Sequence, residues 1–140
     1  MSVIYNTCEL FPWIVVTPVG HEADWVQLLE QALPNLDIVV YQGSPEARQI
    51  ITDHVLFPDK KRDLHCHVLV INSTFFMDDA ALFRQVSWEG VVIDEGDTVK
   101  YQTDTRLYQE IANMQAASRI IMTSISFSSP LQHFFMEEHY

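Results

Sequence analysis

Five short runs of branched and aliphatic residues recur along the chain, and they limit the available folds more than any other feature. They are WIVVT (13–17), DIVVY (37–41), HVLVI (67–71), GVVID (90–94) and RIIMT (119–123). None alternates apolar with polar positions, so each reads as a strand covered on both faces, the pattern of a parallel sheet. Parallel neighbours cannot be joined by a tight hairpin, so a longer crossover, usually a helix, lies between successive runs. The intervening segments supply it. From Glu22 to Leu33, Trp25, Leu28, Leu29 and Leu33 fall on one helical face. Ser44 followed by Pro45 reads as an N-cap with proline at the first helical position. Ser73 or Thr74 is expected to cap a helix running through Val86, and a further helix is expected over Asp104 to Met114. Strand-helix alternation with right-handed crossovers gives a three-layer α/β sandwich with a mainly parallel sheet. Its 140 residues suit one domain, 1–140, without repeats or low-complexity linkers.

Charge and composition exclude several classes. Eight basic residues stand against nineteen acidic ones, a formal net charge of −11, so weak or no direct DNA binding is expected of this chain. Lys60, Lys61 and Arg62 form its basic cluster and read as an exposed loop. Apolar runs such as Val68 to Ile71 are far shorter than a membrane span, and the start MSVIYNTCELFP lacks the basic region of a signal peptide. An intracellular protein without membrane contact is expected. Cys8 and Cys66 make no disulfide framework and suit a reducing compartment.

In parallel sheets polar chemistry gathers at the carboxyl ends of strands, where Thr17, Asn72, Asp94, Glu95 and Thr123 fall. The segment SWEGVVIDEGDTVKYQ (87–102) delivers an acidic pair there, Asp94 and Glu95, with a third acid at Asp97. Such a pair serves magnesium binding and water activation in nucleotide hydrolases, or simply forms a solvated strand end. His65, Cys66 and His67 offer metal-ligand atoms, but alternation along a strand directs the two histidines to one face and the thiol to the other, so a buried structural thiol is expected. Trp13, Trp25 and Trp88 are expected in the core rather than stacked on a base. A flavodoxin-like sensor would need a phosphate- or flavin-binding loop after the first strand, where TPVGHEAD (17–24) has one glycine.

Several segments, taken in order, resemble the first RecA-like lobe of Swi/Snf-type chromatin remodellers, in flavour the chromodomain-helicase branch. Pro18 and Trp25 stand as that family's strand-end proline and helix tryptophan do. VVYQGS (39–44) with Arg48, Ile50 and Ile51 resembles its VVYHGS…R.II segment, and VLVINS (68–73) its VLLTTY. Trp88, Asp94, Glu95, Gly96 and Lys100 match WE.LIVDEGH..K, and RIIMTSIS (119–126) occupies the place of R.LLTGTP, with Leu131, Phe134 and Phe135 continuing beyond it.

The resemblance implies a RecA-like, P-loop NTPase-type helicase lobe and, in the parent family, ATP and magnesium. It also exposes departures. None of the four glycines, Gly20, Gly43, Gly90 and Gly96, precedes Lys-Ser or Lys-Thr, so the loop that cradles phosphates has no counterpart in these residues. Asp94 and Glu95 match the family's magnesium-binding aspartate and water-activating glutamate, but Asp97 replaces its histidine, and Thr123 is followed by Ser124, Ile125 and Ser126 instead of Gly-Thr-Pro. The implied protein is a partial, degenerate lobe whose catalytic pair is a relic, with Asp94 as its one weak magnesium candidate and no cofactor of its own. A nuclear, noncatalytic scaffold in a remodelling or silencing complex, contacting chromatin-associated proteins, is the expected function. The alternative is a fragment of an active DNA-dependent ATPase whose P-loop and second lobe lie outside these residues.

Overall fold

A computed structural model describes residues 11–58, 64–96 and 105–123. Five strands, β1 (Trp13–Thr17), β2 (Ile38–Tyr41), β3 (Val68–Asn72), β4 (Ser87–Gly96) and β5 (Gln115–Thr123), form one sheet in the order β2-β3-β1-β4-β5. Every pairing is parallel, with Val15 opposite Val70 on one side and Val92 on the other. The helices are α1 (Glu22–Ala32), α2 (Pro45–Ile51), α3 (Ser73–Asp78), α4 (Ala80–Arg84) and α5 (Thr105–Ala112), and α2 runs on into a π-helical turn, Thr52–Leu56.

Strand order fixes which face each helix covers. The chain steps one way across the sheet from β1 to β2, then the opposite way through β3, β4 and β5. Crossovers of one hand therefore place α1 on one face and α2 to α5 on the other. The two apolar clusters confirm this division. Leu56, Phe76, Phe83 and Ile111 pack against Ile14, Val16, Leu69, Ile71, Val91 and Ile93 on the broader face. On the other, Trp25 and Leu29 of α1 cover Val15, Val68, Val70 and Val92. The three tryptophans serve packing, as expected: Trp25 and Trp88 are buried, and the half-buried Trp13 lies over Gly90, where an added Cβ would come 2.1 Å from its ring.

Three expectations need correction. The helix expected from Ser73 or Thr74 to Val86 is two helices broken at Asp79, whose backbone (φ −117°, ψ 27°) leaves the helical region while its carboxylate binds Tyr41 and Arg48. Its cap is Asn72, whose side chain accepts from the Phe75 N–H. β3 begins at Val68, so His65 to His67 precede the strand and do not alternate across it. There the His65 N–H donates to the Leu56 carbonyl, and His67 Nδ1 accepts the Asp37 N–H at 2.8 Å. The expected cap at Ser44 is present, its hydroxyl accepting from the Ala47 N–H.

Candidate functional site

Beside β1 the helices that follow neighbouring strands leave on opposite faces, which opens a crevice at the strand ends. Buried polar side chains collect there: Thr17, Asn72 and Asp94 are 1%, 3% and 3% exposed. Period two along β4 aims Asp94 at the same face as Val92, towards α1. There the Trp25 indole Nε1 donates to Asp94 Oδ2 at 2.7 Å, across 69 residues of sequence, and Thr17 Oγ1 donates to the same oxygen at 3.4 Å. The crevice extends along α1. Glu22, in its first turn, accepts from Asn72 Nδ2 at 2.7 Å and from the Gly20 N–H at 2.9 Å. Gly20 takes φ +97° in the turn between Pro18 and α1, a conformation that side-chain-bearing residues rarely adopt. A cavity of about 380 Å³ opens between α1 and the end of β2, lined by Glu22, Val26, Gln27, Glu30, Val40 and Gln42.

The structure thus brings Trp25 and Asp94 together and adds Thr17, Asn72 and Glu22. Of these, sequence reasoning missed Glu22 and the Trp25 contact. Glu95 and Gly96 close β4, where Asp94 pairs with Met122 and Gly96 with Thr123, a bulge that gives β4 one extra residue at Glu95. The side chains of Glu95 and Thr123, and all of Asp97, Lys100 and Ser124 to Ser126, lie outside the described residues, as do Cys8, Lys60 to Arg62 and the 131–135 segment. Pro18 is half-buried just after β1.

Magnesium takes several oxygen ligands in near-octahedral geometry. Among the described residues no three acidic, histidine or cysteine side chains converge, and Asp94 Oδ2 already receives an N–H and an O–H. Nor does the histidine pair flanking Cys66 form a metal centre among the described residues. Burial, with help from the nearby Asp37 charge, pushes the Cys66 thiol up from 9.0 to about 12, so at neutral pH it stays a protonated thiol packed in the core.

A second polar node lies at the end of β2. Arg48, 6% exposed, donates to Asp79 Oδ2 at 2.9 Å and to the Gly43 carbonyl at 3.1 Å, and its guanidinium lies 4.4 Å from the Phe75 ring centre. The Tyr41 hydroxyl donates to the same Asp79 oxygen at 2.6 Å. Burial and the Asp79 contact raise the phenol to about 12, so it remains a donor at neutral pH.

Fold and site together define an open parallel α/β lobe with a polar crevice at its strand ends. The SNF2-related domain matches residues 4–136, nearly the whole chain, and the protein belongs to that family. It is 27% identical over 134 residues to the chromatin remodeling factor mit1 of Schizosaccharomyces pombe, covering 95% of this chain and 9% of that protein. Against the CHD3-type chromatin-remodeling factor PICKLE of Arabidopsis thaliana identity is 22%, over 94% of this chain and 11% of the relative. The chromatin-remodeling ATPase INO80 of Candida albicans is 25% identical, over 92% and 9%. This chain therefore spans about a tenth of the length of these relatives. Among solved structures, the SWI2/SNF2 ATPase core of Sulfolobus solfataricus in complex with dsDNA superposes with a TM-score of 0.63 at 20% identity, over 93% of this chain and 25% of that one. The RecA-like fold expected from the resemblance is the fold observed.

Proposed function

We propose that this SNF2-family lobe acts as a noncatalytic, helicase-like scaffold that binds proteins in a nuclear chromatin remodelling or silencing complex. The observation behind this reading is the state of Asp94, which is 3% exposed and whose Oδ2 is engaged inside the fold by Trp25 and Thr17. The 140 residues also hold no Gly-Lys-Ser or Gly-Lys-Thr. Phosphoryl transfer depends on positioning and charge stabilisation, so these residues by themselves lack most of what drives the reaction. Eight basic residues among nineteen acids leave little attraction for a phosphate backbone, so protein contacts are the favoured mode of binding.

Phosphate release from Mg-ATP, with and without double-stranded DNA, tests the reading. No turnover is expected, and calorimetric titration should give nucleotide affinity no tighter than about millimolar, or about 4 kcal/mol. Turnover by the unmodified chain that disappears in Glu95→Gln would overturn it.

A second reading is favoured by length. Because the chain spans about a tenth of its relatives, it also fits a fragment of an active DNA-dependent ATPase that draws its phosphate cradle from other segments. Sequencing the full-length transcript decides between them, since an in-frame Gly-Lys-Thr segment upstream of Met1 supports the enzyme.

A further inference from the structure

We propose that the cavity between α1 and the end of β2 takes a lysine or arginine side chain from a basic peptide segment of a partner protein. The proposal deepens the protein-binding part of the proposed function and rests on it, but its observations are those of the cavity and use nothing of Asp94. From Trp13 to Tyr41 the chain carries four acids, Glu22, Asp24, Glu30 and Asp37, and no lysine or arginine. The β1-α1-β2 unit therefore presents a negative field with no basic side chain of its own to offset it. Glu22 and Asp24 occupy the first turn of α1, where the helix dipole favours an acid. Glu30 does not. It lies in the last turn, where the carbonyl ends already concentrate negative charge, and no basic residue stands in that turn. Its side chain is exposed and makes no ion pair among the described residues.

The shape of the cavity selects the kind of cation. Its volume, about 380 Å³, is at the small end of ligand pockets and suits one long side chain. Half-buried Val26 and Val40 give it an apolar wall, around which Glu22, Gln27, Glu30 and Gln42 set oxygen acceptors. Lysine and arginine match that division, because their methylene stems lie along apolar surface while the charged head stays at a polar rim. Glu22 is already bonded to the Gly20 N–H and to Asn72, which leaves Glu30 as the carboxylate that receives the head. Phosphate groups are repelled by the same two carboxylates. Because β2 is the edge strand of the sheet, no further strand closes the cavity among the described residues.

The test titrates the full chain, labelled with 13C at its valine methyls, with a short capped peptide alternating lysine and glycine, at low salt where exposed charges are least screened. The Val26 and Val40 methyl resonances are expected to shift together and to saturate, and the same peptide with glutamate for lysine should leave them in place. Three variants separate the cavity from the general attraction of an acidic chain. Glu30→Gln and Asp53→Asn each remove one negative charge, the second on the opposite face of the sheet, where asparagine can still accept from Gln49. The first should weaken binding about fivefold and the second less than about twofold. Ala23→Leu, which narrows the cavity without altering charge, should weaken it at least about threefold. All three positions are exposed, so none of these changes disturbs the core. Equal losses from Glu30→Gln and Asp53→Asn would mean diffuse attraction to a charged surface and overturn the proposal, as would valine resonances that stay still while the peptide binds. The two readings fail separately: ATP turnover by a chain whose cavity still selects the lysine peptide sinks the noncatalytic function alone, and a chain without turnover whose Val26 and Val40 resonances ignore the peptide sinks the cavity proposal alone.

Discussion

Arg48 and Asp79 lie 31 residues apart and meet at 2.9 Å at the end of β2, where the tyrosine that closes that strand binds the same carboxylate oxygen. The pair is unevenly protected. Arg48 has 7% of its side chain exposed and Asp79 has 31%, so the cation depends on its partner more than the anion does. Asp78, 3.8 Å from the guanidinium and 54% exposed, is screened by solvent and adds little. Asp79→Ala, which strands a buried cation and the Tyr41 hydroxyl, is expected to cost about 3 kcal/mol. Arg48→Met, which leaves a partly solvated carboxylate still bound by Tyr41, should cost about 1 to 2 kcal/mol. Urea unfolding of both variants checks the order, and equal losses would show that Asp79 serves the node in some other way.

Gly90 leaves no room in the sheet for a side chain. It sits opposite Trp13 in register, and a Cβ there would lie 2.1 to 2.3 Å from three atoms of the indole ring. The ring must move from its packed position. Gly90→Ala is expected to destabilise the fold by about 1 to 3 kcal/mol, the usual cost of overpacking a core. Reducing Trp13 to leucine in the same chain should recover part of that loss, and a double-mutant cycle by thermal melts measures the coupling.

The sheet was legible in the sequence because its signal is local. A run such as VLVI is apolar on both faces, and burial of all five residues of β3 follows directly. Boundaries were less legible. HCH looked like strand because His67 adjoins that run, but its ring nitrogen and backbone are drawn to Asp37 instead. The break at Asp79 was hidden for a similar reason: its cause is a carboxylate claimed by Tyr41 and Arg48, both distant in sequence. Asp94 was readable as a strand-end acid, yet its partner was not. The one available clue was that a buried tryptophan needs an acceptor for its N–H, and Trp25 on the inner face of α1 has a strand-end carboxylate within reach.

Alkaline pH should loosen the protein through two groups. The Cys66 thiol is raised from 9.0 to about 12 and the Tyr41 phenol from 10.0 to about 12. In both, the folded chain holds its proton to higher pH than the unfolded chain does. The Cys66 contribution is therefore fully present below pH 9.0 and the Tyr41 contribution below pH 10.0, and each is lost as pH rises from there towards about 12. Cys66→Ala, with no proton to lose, should flatten the decline between those limits when melting temperature is followed against pH. In a Cys8→Ser background, Cys66 should also react with Ellman's reagent far more slowly at pH 8 than after unfolding in urea.

Asn72 tests whether the crevice depends on both ends of one amide. Its Oδ1 accepts the Phe75 N–H at 2.9 Å and caps α3, while its Nδ2 donates to Glu22 Oε2 at 2.7 Å and ties down α1. Asp and Ser both cap helices well, so capping alone makes either replacement nearly neutral. The tie to Glu22 separates them. Aspartate removes the donor and sets a second carboxylate against Glu22 at a 3% exposed position, where like charges repel strongly. Asn72→Asp is therefore expected to lose about 2 kcal/mol or more, and Asn72→Ser about 1 kcal/mol, from the missing bond to Glu22. Adding Glu22→Gln should restore much of the aspartate variant's stability, because the amide can donate where the carboxylate could not. Chemical denaturation of the three variants reads the ranking, and an aspartate variant as stable as the serine one would mean that Glu22 and position 72 do not share a low-dielectric contact.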